Sequence, residues 1–236
     1  MLLEIENLKF KWPKSQSDLI DIQSLKINEG ESIFLHGPSG SGKTTLLNLI
    51  SGIVTPSSGA IRIMEHDLSH MSESKRDNFR GDHMGFIFQQ FNLVPYLSPL
   101  ENIVLTGTFS KRKSDIVRKR SKFREYEAKR LLEALQLKDE ELMNRPSSNL
   151  SVGQQQRVAA ARALYGAPEL IIADEPTSAL DRENQEGFLK LLFSECKERK
   201  ISLVFVSHDQ SLGDFFDRKV SLKEINRAAQ NISESQ

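Results

Sequence analysis

Apolar residues recur at every second position near the start of the chain. Leu3 and Ile5 form one such pair and Leu8 and Phe10 another, and Leu25 and Ile27 repeat the pattern after a polar stretch. Period two puts alternate side chains on one face of a pleated strand, so residues 2–35 are predicted to hold antiparallel strands. Residues 31–36 read as a strand, and residues 45–50 as an amphipathic helix that Ser51 and Gly52 end. Residues 59–63 and 84–88 read as further short strands. From Ser98 the spacing becomes helical. Ser98, Pro99 and Glu101 combine a capping box with proline at the first helical position. Phe123, Leu131, Leu132 and Leu135 continue that spacing to Lys138. Val158, Ala161 and Leu164 share the face of another helix, with Ser151 as its N-cap and Gly166 and Pro168 as its stop. Residues 170–173 and 202–206 are apolar throughout, as strands buried on both faces are, and a helix through Phe188, Leu189, Leu191 and Leu192 separates them. This order predicts an α/β fold: a parallel-sheet core from residues 2–95 and 150–226, an N-terminal antiparallel β subdomain within it, and an inserted α-helical subdomain at 96–149. The tail, 227–236, is polar and expected to fray.

Composition narrows the class. The 236 residues suffice for one such domain, and 32 basic residues against 32 acidic ones give no global field that favours nucleic acid or an anionic membrane. No apolar run approaches the length of about 20 residues that a membrane span needs, and residues 1–6 lack the basic start of a signal peptide. The single Cys196 excludes an internal disulfide and reads as a small core residue on a helix. A cytoplasmic protein is expected.

The turn between the strand at 31–36 and the helix after it carries the chemistry. Gly37, Pro38, Ser39, Gly40, Ser41, Gly42, Lys43 and Thr44 fit the spacing G-x-x-x-x-G-K-[ST], with Thr45 opening the helix. Glycines let backbone N–H groups close around a phosphate chain, and the helix N-terminus adds positive potential. Lys43 is expected to reach the β- and γ-phosphates and Thr44 to ligate Mg²⁺, which predicts a P-loop NTPase core that binds a nucleoside triphosphate. A second candidate phosphate site lies at Ser151 and Gly153, where a hydroxyl, a glycine backbone and a helix N-terminus coincide. One nucleotide does not need two such sites from one subunit. The second is expected to meet a nucleotide held by another copy.

Residues 150–154, Leu-Ser-Val-Gly-Gln, resemble the signature motif of the ATP-binding cassette (ABC) family. Asp174 and Glu175, after the apolar run at 170–173, resemble the end of a Walker B strand and the catalytic glutamate that follows it. Residues 178–181, ending in Asp181, resemble the D-loop. Gln89 stands where the family has its Q-loop glutamine, His208 matches its switch histidine, and Trp12 takes the place of the aromatic residue that stacks on adenine. The resemblance spans roughly residues 2–226. It implies that Thr44, Gln89 and Asp174 hold Mg²⁺ and that Glu175 polarises the attacking water, while Lys43, Gln89 and His208 complete the catalytic set. It also implies that Ser151, Gly153, Gln154 and Asp181 complete the nucleotide site from the other subunit. The chain departs from the commonest signature at Val152, where glycine is usual.

The expectation that follows is an ATPase with ATP and Mg²⁺ as cofactors, dimeric with an identical or homologous subunit, and peripheral on the cytoplasmic face of a membrane through a separate permease. Residues 89–101 are the expected docking region, with Phe91, Leu93, Val94, Tyr96 and Leu97 lining it. Residues 85–94, 100–103 and 144–146 resemble the lipoprotein-releasing and macrolide-export type, whereas Ser178-Ala-Leu180 resembles importer ATPases. Family members that act on nucleic acid or ribosomes usually carry two cassettes or long coiled coils, and this chain shows one cassette and no heptads, so no nucleic acid is expected. The 28 residues after His208 leave too little chain for a C-terminal regulatory domain. Residues 111–130 carry ten Lys or Arg against three acids, read first as a solvated helix face and second as a contact for anionic lipid. His66 and His70 have helical metal-pair spacing but read as surface loop, and His36 as structural.

Overall fold

The computed structural model describes residues 1–120 and 123–228. The chain divides into two compact units, one holding Met1–Arg80 and the chain from Val204 on, the other Gly81–Leu203. Residues 96–149 thus share a unit with 81–95 and 150–203.

The first unit opens with β1 (Leu3–Phe10) and β2 (Ile20–Ile27), which pair antiparallel. The alternation changes phase in both strands at once, so buried residues still face each other: Leu3 opposite Ile27, Ile5 opposite Leu25, Leu8 opposite Ile22, Phe10 opposite Ile20. Asn7, at φ 48°, marks the change, and the ladder with the next strand shifts register there. After β3 (Ser32–His36) and α1 (Lys43–Ile50) come β4 (Ser58–Ile63) and β5 (His66–Asp67), completing an antiparallel sheet of order β2-β1-β4-β5. Helix α1 is buried on nearly all sides, not amphipathic as expected, and Gly52 at φ 67° follows its C-cap Ser51.

Next comes α2 (Glu73–His83). Only Phe79 of this helix is buried. Its hold comes instead from arginines: Arg76 donates to the Gly52 and Met71 carbonyls at 3.0 and 2.5 Å, and Arg80 to Gly52 at 3.1 Å. His66 lies edge-on to Phe79, and His70 bonds Asp67 at 3.0 Å.

In the second unit β6 (Met84–Ile87) runs parallel to β7 (Leu170–Asp174). Between them lie α3 (Pro99–Thr108), α4 (Lys111–Arg120), α5 (Arg124–Ala134), α6 (Glu140–Asn144) and α7 (Val152–Leu164), and α8 (Arg182–Arg199) follows β7. Gly85 admits α7 against β6, since a Cβ there would overlap the Ala163 carbonyl. The capping box at Ser98 and Glu101 forms as expected. Phe123 does not join the buried stripe: it is the N-cap of α5 and 69% exposed. Nor does that helix reach Lys138, because Gln136 turns left-handed at φ 62° just after the C-cap Leu135.

Several cations of the basic stretch are structural. Arg130 and Arg199 join α5 to α8 through buried Glu127 and Glu195, with Arg199 on Glu127 at 2.8 Å and Arg130 on Glu195 at 2.7 Å. Buried Lys113 donates to the Met84 carbonyl at 2.8 Å, and burial brings its pKa down to about 8. Lys122 lies outside the described residues.

The chain then returns to the first unit. β8 (Ser202–Val206) is wholly buried, β9 (Arg218–Ser221) pairs parallel with β3, and α9 (Leu222–Ile225) ends the regular structure. Phe34 on β3 stacks with Phe205 at 6.3 Å and packs on Phe216 at 5.3 Å. Fully buried Asn226 accepts from Asp21 N at 2.8 Å and donates to the Leu19 carbonyl at 2.9 Å, which fastens this segment along β2. Ala228 of the expected polar tail is buried, and residues 229–236 lie outside the described residues. Cys196 is buried on α8, where burial pushes its thiol up to about 12. No described helix is long and apolar enough to cross a membrane.

Candidate functional site

The loop between β3 and α1 takes backbone turns that only glycine adopts easily. Gly40 and Gly42 take φ of 77° and 97°, left-handed values that side chains resist. A Cβ on Gly42 would also press on Ile20 Cδ1 at 2.8 Å, and one on Gly37 on Ser41 Oγ at 2.9 Å. Gly42 is the N-cap of α1 but has no side chain to cap with, and the first turn of the helix carries no acid. Lys43 is buried, and its ammonium donates to the Gly37 and Pro38 carbonyls at 2.9 and 3.0 Å. Ser41 Oγ is buried without a hydrogen-bond partner among the described residues. A buried cation, an unpartnered hydroxyl and uncapped backbone donors on one short loop fit a phosphate chain. Pro38, Ser39 and Thr44 stand exposed at its mouth, and Thr45 is buried beneath it.

Two more expected residues belong to this unit. Trp12 is 44% exposed and meets Phe10 in a T-shaped contact, with ring centroids 5.0 Å apart. His208 is exposed just after β8. His36 stacks on Phe34 at 5.9 Å, the structural place expected for it.

In the second unit the parallel register Ile87↔Ala173 brings Gln89 and the pair Asp174 and Glu175 to the same end of neighbouring strands. Asp174 is the last residue of β7, half-buried, with the apolar strand behind it. Glu175 follows at φ 47°, a backbone strained for a side-chain-bearing residue, and Ser178 N closes the turn on its carbonyl at 3.3 Å.

Ser151 caps α7 as expected: its hydroxyl accepts from Gln154 N at 3.3 Å while the Gln154 side chain accepts from Ser151 N at 2.8 Å. Val152, the departure from the usual motif, is 46% exposed. Ser151, Gly153 and Gln154 line a surface cavity of about 530 Å³ together with Arg157, Leu180 and Asn184. Asp181, beside it, caps α8 through Asn184 N at 2.9 Å, and that bond holds its carboxyl below the usual range. Sequence reasoning gave Arg157 and Asn184 no role. For Arg157 a signal existed, since it stands one helical turn after Gly153 on the same face.

The expected docking region is corrected at one position. Phe91 is buried, 6% exposed, so it packs within the unit and lines no outer surface. Tyr96 is 77% exposed, and Leu93, Val94 and Leu97 are half-buried.

The model of the ABC transporter family matches residues 20–178. An uncharacterized ABC transporter ATP-binding protein of Methanocaldococcus jannaschii, MJ1508, is 38% identical over 225 residues, covering 94% of this chain and 96% of its own. The lipoprotein-releasing system ATP-binding protein LolD of Leptospira interrogans is 39% identical over 206 residues, 87% of this chain and 83% of LolD. The dimeric post-hydrolysis structure of the ATP-binding cassette MJ0796, bound to ADP and Pi, superposes with a TM-score of 0.81 at 33% identity and covers 97% of this chain and 95% of that one. With the phosphate loop, the capped signature helix and these relatives in agreement, the chain belongs to the ATPase family of ABC transporters.

Proposed function

We propose that this chain is the ATP-hydrolysing subunit of a membrane ABC transport complex, working as a head-to-tail dimer that drives a separate permease. The observation that carries this reading is the pairing of two phosphate-fitted sites in one chain, the loop at 37–44 and the cap at 151–154. A head-to-tail pair uses both, since the loop of one copy and the cap of the other can enclose a single ATP. The dimeric MJ0796 cassette supports that arrangement. The likeness to LolD supports an export or envelope system handling lipid, lipoprotein or peptide, with the chain on the cytoplasmic face.

Roles follow from chemistry. Lys43 and the N–H groups of residues 38–45 hold the β- and γ-phosphates. Trp12 stacks on the base. Thr44, Gln89 and Asp174 would hold Mg²⁺, which when bound neutralises phosphate charge. Glu175 accepts a proton from the water whose oxygen attacks the γ-phosphorus, as the bond to the bridging oxygen breaks and ADP leaves. His208 donates a hydrogen bond to the phosphoryl oxygens, and Ser151, Gly153, Gln154 and Asp181 close the site from the second copy. Core residues 2–95 and 150–226 carry this chemistry, and the helices of 96–149 relay it to the permease. Glu175→Gln keeps size and hydrogen bonding but removes the base. ATP should still bind while hydrolysis falls ~10²-fold or more; near-normal turnover would remove Glu175 from this role.

A further inference from the structure

The turn that carries Gln89 is held by the signature-bearing helix. Beyond β6 the chain doubles back over residues 88–92, with Phe91 N on the Phe88 carbonyl at 3.0 Å and Asn92 N on that of Gln90 at 2.6 Å. Phe91 and Asn92 take φ of 58° and 49°, left-handed backbone that is costly for residues with side chains. Such a turn persists only where its surroundings fix it. Arg162, on α7, supplies the fixing. Its two terminal nitrogens donate to the Asn92 and Phe91 carbonyls, each at 2.6 Å. Among the described residues no carboxylate pairs with this guanidinium; its hydrogen-bond partners are those two carbonyls.

The far end of the same segment is also fastened. Asn102, on α3 and 1% exposed, accepts from Val94 N at 2.8 Å and donates to the Leu97 carbonyl at 3.2 Å and to Ser147 Oγ at 3.0 Å. Ser147 N in turn donates to the Leu97 carbonyl at 2.9 Å, and Ser148 N to that of Pro95 at 3.0 Å. Ser147 lies four residues before the cap Ser151. Residues 88–98 are therefore tied at one end to α7 and at the other to the approach to its cap.

We propose that Arg162 is a positioning residue for Gln89: it fixes the turn that presents the glutamine and makes that turn move as one body with α7 and the Ser151 cap. The inference rests on the role in hydrolysis proposed above for Gln89. Arg162 makes its hydrogen bonds to the turn, not to the cap. Its loss should slow the chemical step and leave ATP affinity nearly unchanged.

A double-mutant cycle on the purified full chain tests this, reading kcat, KM for ATP and melting temperature for Arg162→Met, Gln89→Ala and the double variant. Arg162→Met keeps the aliphatic stem and removes the donors. In the otherwise native chain it should lower kcat roughly 10-fold with KM within about 2-fold, and in the Gln89→Ala chain it should lower kcat less than about 2-fold. Arg162→Lys, able to serve one carbonyl at a time, should recover part of the loss; it carries the same cycle if Arg162→Met does not fold. Equal losses in both backgrounds, or unchanged kcat in a normally melting variant, overturn the inference. If Gln89→Ala alone leaves kcat unchanged, the role of Gln89 falls and this inference with it. Equal losses beside a slow Gln89→Ala leave that role standing and sink the inference only.

Discussion

Gly153→Ala should leave the fold intact and slow catalysis. A Cβ at this position meets nothing closer than Leu180 Cδ2 at 3.9 Å, ordinary van der Waals contact, and the backbone there is not left-handed. Alanine is favoured over glycine in a helix by about 0.5–1 kcal/mol. For a chain of this size each kcal/mol moves the melting temperature by about 2–4 °C, so the variant should melt unchanged or up to about 4 °C higher. Catalysis should respond differently. Where the cap closes on a phosphate held by the second copy, the added methyl stands between backbone N–H and oxygen. Losing one hydrogen bond to a charged group costs about 1.5–3 kcal/mol, which is roughly a 10- to 150-fold slower hydrolysis. Phosphate release and a thermal melt on the same sample read both effects. Normal turnover in a folded variant would remove Gly153 from the nucleotide, and an early melt would mean that the fold itself requires the glycine. Gly42→Ala is the contrasting case, since its left-handed φ and the contact with Ile20 make the fold suffer as well.

Three further outcomes are expected. Tyr96→Glu should melt normally, because the side chain is 77% exposed, yet lose copurification with the permease; a retained complex would refute docking at Tyr96. Glu127→Ala strips Arg199 and Arg130 of a buried partner, and breaking such a pair costs about 3–5 kcal/mol, or a melting temperature lower by roughly 6–20 °C. A drop under about 2 °C would contradict the reading of that cluster. Lys113 has its pKa lowered from 10.5 to about 8 by burial and then by Arg112, so the unfolded chain holds its proton more tightly. The resulting penalty is fully present below about pH 8 and fades as the pH rises toward 10.5. The native chain should therefore gain stability relative to Lys113→Met across that window, and a pH-independent difference would refute it.

What the sequence made legible were the features enforced by local chemistry. The capping boxes at Ser98 and Ser151 form as their spacing requires, and the change of phase in β1 was already written in Leu3, Ile5, Leu8 and Phe10. The phosphate loop is equally local, since glycines at fixed offsets dictate its turns. Features set by distant partners were hidden. Helix α2 has one buried apolar residue and depends on carbonyls near Gly52, which no periodicity encodes. Phe91 read as docking surface because the family resemblance places the permease there, but it lies in a left-handed turn and is buried. Arg162 looked like any helix arginine, and its importance appears only once the chain at 91–92 comes to it. For the site, motif order carried the identification, while the burial of Lys43 and the unpartnered Ser41 hydroxyl needed the fold.

Two copies of this chain are proposed to share each ATP. The most direct test is the molar mass in solution of Glu175→Gln, in which bound ATP should persist, measured by sedimentation with and without saturating ATP and Mg²⁺. A 26.8 kDa monomer is expected without nucleotide and a species of about twice that mass with it, abolished when Ser151→Arg is added. A chain that remains monomeric in saturating ATP, or a dimer that survives Ser151→Arg unchanged, would contradict it.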